Sequence, residues 1–60
     1  MNILNDADLQ NCIYFQTTVE FWVEGEIDAV GYICDFNEHM VKTITREYYI
    51  RRNVLLKTSI

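Results

Sequence analysis

The chain has 60 residues, half of them hydrophobic, 13% aromatic and 23% charged, with a net charge of −4. That composition describes one globular domain, residues 1–60, and not a disordered chain. A chain this short buries only about 60% of the surface its unfolded form exposes, which excludes most enzyme architectures, and its apolar runs fall short of the roughly 18 residues of a membrane span.

In chain order, the polar and acidic start Met1–Gln10 does not read as a signal peptide. Asn5 or Asp6 can N-cap a short helical turn through Ala7-Asp8-Leu9-Gln10, with acids well placed at its beginning. From Ile13 to Val23 the odd positions read Ile, Phe, Thr, Val, Phe, Val and the even ones Tyr, Gln, Thr, Glu, Trp. This period-two alternation predicts one long strand or two strand segments with one buried face. Glu24-Gly25-Glu26 supplies a turn in which Gly25 is free to take positive φ. Ile27–Phe36 reads as the next strand, bent or bulged at Gly31. Asn37-Glu38-His39 is a polar break, and Met40–Ile44, Tyr48–Arg51 and Val54–Lys57 read as three further short strands. Between the third and fourth of these five strands only Thr45-Arg46-Glu47 remain as a loop. The expected fold is all-β: a small, strongly bent five-stranded barrel with a short N-terminal helix.

Charge is distributed unevenly. Residues 1–41 carry eight acids and no Lys or Arg, whereas residues 42–60 carry five bases and the single acid Glu47. The segments are thus −8 and +4, a split that suits either head-to-tail association or pairing within one small domain. With no disulfide framework and no metal motif, oligomerisation is the expected source of added stability.

Two segments resemble one family. Val19-Glu20-Phe21, Gly25, Gly31, Ile33 and the block Phe36-Asn37-Glu38-His39-Met40-Val41 are similar to the first signature motif of the Sm and Sm-like RNA-binding proteins. That motif runs hydrophobic-x-hydrophobic, glycine, a second glycine at a strand bend, then Phe-Asp-x-x-Met-Asn. Ile50-Arg51-Arg52-Asn53-Val54 is similar to the second motif, Ile-(Arg/Lys)-Gly-(Asn/Asp)-Asn-Val. Leu9-Gln10-Asn11 and Phe21-Trp22 further resemble the E-type Sm subunit. The resemblance spans about residues 7–58.

The resemblance implies an SH3-type barrel with a short N-terminal helix, acting as a subunit of a ring that binds uridine-rich single-stranded RNA. The E-type features imply the spliceosomal ribonucleoprotein core in pre-mRNA splicing, with a nuclear and cytoplasmic location; a decay-type ring is the neighbouring alternative. Ring neighbours would pair through Tyr48, Tyr49 and Ile50 on one edge and Val54, Leu55 and Leu56 on the other, with hetero-oligomers favoured. His39 falls at the base-stacking position and Arg51 at the basic one, with Asn37, Arg52 and Asn53 beside them. The sequence departs from the pattern in three places. Asn37 replaces the motif's Asp, Val41 replaces its base-binding Asn, and Arg52 replaces a glycine with one residue deleted. The last change leaves Asn53 to adopt the left-handed conformation. A second reading follows from these departures: a protein-interaction or inhibitory barrel with a degenerate RNA pocket.

Other readings of the same residues stand beside these. Arg51 and Arg52 are also what solvated strand-end charges look like, and the alternating Tyr48, Tyr49, Arg51, Arg52 is also an ordinary edge strand. Cys12, Cys34 and His39 lack both usual spacing and a fourth ligand for zinc, so no metal or other cofactor is expected. Trp22 sits on the polar face, as an interface anchor or under the N-terminal turn. No nucleophile pairs with the lone His and two glycines cannot build a phosphate loop, so no catalysis is expected.

Overall fold

The computed structural model describes residues 2, 3 and 5–59. Seven strands and one α-helix follow in the order β1 (Asn2–Ile3), α1 (Asp6–Tyr14), β2 (Val19–Val23), β3 (Glu26–Gly31), β4 (Ile33–Phe36), β5 (Met40–Thr43), β6 (Tyr48–Ile50), a 3-10 turn (Arg51–Asn53) and β7 (Leu55–Thr58). The strands form two antiparallel sheets, β1-β7-β2-β3 and β4-β5-β6. This is a small β-rich fold with one short helix.

Asn5 caps α1: its side-chain oxygen accepts from the Asp8 backbone N–H at 2.9 Å. The helix runs four residues further than the sequence pattern suggested and takes in Ile13 and Tyr14, which the alternation placed in a strand. Leu9, Cys12 and Ile13 recur at helical spacing, so the first two are buried and the third packs at the core margin. Tyr14 and Phe15 are 77% and 70% exposed. The alternation through this stretch therefore reflected no buried strand face. The helix closes with Gln16 at φ 51°, its N–H bonded to Ile13 O at 3.3 Å and that of Thr17 to Cys12 O at 3.0 Å. That is a Schellman cap built on glutamine instead of glycine.

The β2–β3 hairpin turns at Glu24 and Gly25, both with positive φ (54° and 81°), the type I′ pattern whose twist suits a two-residue loop. Gly31 behaves differently. The chain does leave one sheet and enter the other at Gly31-Tyr32, but Gly31 has no positive φ and a Cβ there would meet nothing within 4 Å. The bend thus does not depend on glycine. The irregularities lie beside it instead. Phe21 pairs with Ala29 and Trp22 with Ile27, which leaves Asp28 as an inserted residue. Ile33 pairs with Thr43 and Asp35 with Lys42, which leaves Cys34 in the same position on β4.

Both sheets and the helix contribute to one core of Ile3, Leu9, Cys12, Val19, Phe21, Ile33, Val41 and Leu56. Across it the Phe21 and Tyr49 rings stack, 4.8 Å apart and 16° from parallel. Cys12 is buried and Cys34 exposed, both free thiols. Among the described residues no helix is long and apolar enough to cross a membrane.

β1 has no counterpart in the sequence reading. Asn2 pairs with Lys57 and Ile3 with Leu56, while β2 pairs with the other side of β7. At Leu56 and Lys57 the β7 backbone is therefore bonded on both sides. The edge proposed from sequence for a neighbouring subunit is occupied there by the chain's own N-terminus. Two residues suffice because Ile3 drops into the core, 7% exposed. β6 pairs only with β5 among the described strands, and it presents Tyr48 and Ile50 to solvent.

Candidate nucleic-acid interface

The polar break between β4 and β5 is a tight, self-bonded turn. Asn37 Oδ1 accepts from the backbone N–H of His39 at 2.8 Å and of Met40 at 2.9 Å, and the Asn37 N–H donates to Met40 O at 2.9 Å. A side-chain oxygen two to three residues upstream is what an Asx turn requires, and asparagine supplies it as well as aspartate. Asn37 thereby shapes the turn. The bond from Arg51 N–H to His39 O, 2.9 Å, ties this turn to the 3-10 turn after β6.

These two turns bring His39, Arg51 and Arg52 to one shallow pocket of about 320 Å³, floored by Met40 and Ile50 and flanked by Glu38. His39 is 80% exposed, its Nε2 lying 3.6 Å from the Glu38 carboxylate. Its flat face is open to a ligand.

The two arginines differ sharply. Arg51 donates from Nη1 to Asn37 O at 2.8 Å, its Nη2 lies 2.8 Å from Asp6 Oδ1, and its guanidinium sits over the Phe36 ring at 5.9 Å. It is 23% exposed and binds together the helix start and both turns. Arg52 is exposed, and its side chain makes no hydrogen bond or ion pair among the described residues. Arg52 lines the His39 pocket, a groove beside Asp6 and a third groove with Trp22, Asn53 and Lys57. The cation available to a ligand is thus Arg52, where the motif alignment pointed first to Arg51.

Asn53 lies away from His39, in the Trp22 groove. It does not take the left-handed conformation: the positive-φ residues other than glycine are Gln16, Glu24 and Arg46. Asn53 instead ends the 3-10 turn Arg51–Asn53, with Val54 back in an extended conformation. Val41 is completely buried, so this position offers a base nothing. Lys57 lies over Trp22, its Nζ 4.4 Å from the ring centroid, while the indole Nε1–H donates to Glu20 Oε1 at 3.0 Å.

Of the proposed interface residues, Tyr48, Ile50 and Leu55 are exposed, whereas Tyr49 and Val54 pack against the core and Leu56 belongs to it. Sequence reading missed Asp6 as the partner of Arg51, since nothing local links a helix-start acid to a residue so far along the chain. It also missed Met40 and Ile50 as pocket floor; their place between His39 and Arg51 was the available signal. No protein-family model, curated protein or solved structure matches the chain.

Proposed function

We propose that this chain binds single-stranded RNA at the His39–Arg52 pocket as an Sm-like ring subunit. The observation that carries this reading is the convergence of His39, Arg51 and Arg52, from two separate motif-like segments, on one open pocket with an apolar floor. An exposed imidazole offers a stacking face to an unpaired base, and an unpaired guanidinium beside it suits a phosphate. The edge of β6, unpaired among the described strands and with Tyr48 and Ile50 exposed, supports assembly with neighbouring subunits.

Fluorescence anisotropy of a labelled uridine-rich oligonucleotide tests it. Arg52→Ala should weaken binding and lower the slope of log K against log salt by about 0.7, the value of one phosphate contact on a single strand. His39→Ala should weaken binding with little change of slope. Wild-type protein that fails to bind at micromolar concentration and low salt would refute the reading, as would indifference to both substitutions.

One observation favours the second reading, a protein-interaction module without RNA. The arginine at the motif's basic position is already neutralised by Asp6. Under that reading the same substitutions alter association with a protein partner and leave RNA titrations flat.

A further inference from the structure

We propose that the Asp6 carboxylate is a built-in competitor that occupies the place of an RNA phosphate on Arg51, and that strand binding exchanges one for the other. The proposal rests on the RNA-binding reading and adds to it a residue that sets affinity from outside the two motif segments.

The asymmetry of the ion pair carries the argument. The Arg51 guanidinium is held by Asn37 O on Nη1 and by the Phe36 ring, on a backbone that is itself bonded to His39 O. Asp6 is 70% exposed against 23% for Arg51, and its contact to Nη2 is 2.8 Å. The guanidinium is therefore the fixed member and the carboxylate the replaceable one. A guanidinium fork donates to carboxylate and phosphate oxygens in the same charge-assisted geometry, so what holds Asp6 would hold a phosphodiester. Access exists as well. Asp6, Glu38, Arg51 and Arg52 line one open groove of about 590 Å³, which shares Glu38, Arg51 and Arg52 with the His39 pocket. A phosphate arriving there meets an unpaired Arg52 and a paired Arg51. Asp6 both repels it and must be displaced, so a strand able to contact His39 and Arg52 together is favoured over a lone anion.

Removing the competitor should then tighten binding. Exposed ion pairs are weak, so Asp6→Asn should raise affinity for a uridine-rich oligonucleotide by about two- to fivefold at moderate salt. Glu26→Gln, an equal charge change at the start of β3, should change it far less. The Asp6→Asn gain should vanish when Arg51 is replaced by Gln, or by Met should the Gln variant fail to show a cooperative melt. Equal gains from Asp6→Asn and Glu26→Gln would overturn the proposal and leave only a net-charge effect. A gain that survives loss of Arg51 would overturn it too, because the exchange requires that guanidinium. RNA binding absent from every variant, wild type included, would refute the RNA reading itself and this proposal with it.

Discussion

Tyr49 Oη donates a 2.6 Å hydrogen bond to Asp28 Oδ2, joining residues 21 apart in sequence and fastening β6 in one sheet to β3 in the other. Asp28 is the inserted residue of the β3 irregularity, and a bulge is a device that re-aims a side chain out of the ladder. The stacked Phe21 ring holds the phenol in place from below.

Asp28 and partial burial push the Tyr49 phenol up to about 12, the hydrogen bond being the larger cause. Its folded value lies above that of a free phenol near 10. The stabilisation is then fully present below about pH 10 and is lost as pH rises through the folded value. Tyr49→Phe should lower stability by about 0.5–1.5 kcal/mol at neutral pH, keep the ring stack, and flatten the loss seen between about pH 10 and 12. Urea melts across that range check it, and an unchanged alkaline profile would show that the bond contributes nothing.

Asn37 offers a test of turn against ligand contact. Asn37→Ala strips two backbone N–H groups of their acceptor and should cost about 1–2 kcal/mol. Asn37→Asp keeps both bonds and should melt within about 0.5 kcal/mol of the wild type. Equal destabilisation by both would mean that the amide nitrogen, not the oxygen, is what matters.

Introducing the motif's asparagine at position 41 should fail. Val41 is fully buried on β5, so Val41→Asn places an amide where only apolar atoms pack, at a cost of about 2–4 kcal/mol. Thermal unfolding should show a marked drop, and RNA affinity of the folded fraction should not rise. A well-folded variant with tighter binding would overturn this account of the position.

The β1–β7 ladder yields a prediction about assembly. Asn2→Cys with Lys57→Cys, in a Cys34→Ser background, sets two thiols at directly paired positions, within reach of a disulfide. If ring formation adds a neighbour's β6 to β7, the oxidised protein should stay monomeric by light scattering and the reduced protein should associate. Equal association in both states would place the contact elsewhere.

Elements governed by neighbouring residues were legible in the chain alone. The Asn5 cap, the Glu24-Gly25 hairpin, the polar turn at Asn37–His39 and the strands from Val19 onward each follow from side chains acting within a few positions, through capping, positive φ and alternation. Ile13–Phe15 shows the boundary of that legibility. A short apolar-polar stretch satisfies both helical and strand periods, and only packing of Leu9 and Cys12 into the core decided for the helix. What tertiary structure decided are contacts between distant segments: β1 lying along β7, the Asp28 bulge reaching Tyr49, and Asp6 pairing with Arg51 in the pocket that Arg52 also lines. Each pairs groups whose separation along the chain carries no periodic trace. Their partners are set by where the folded backbone places them, which local propensity does not encode.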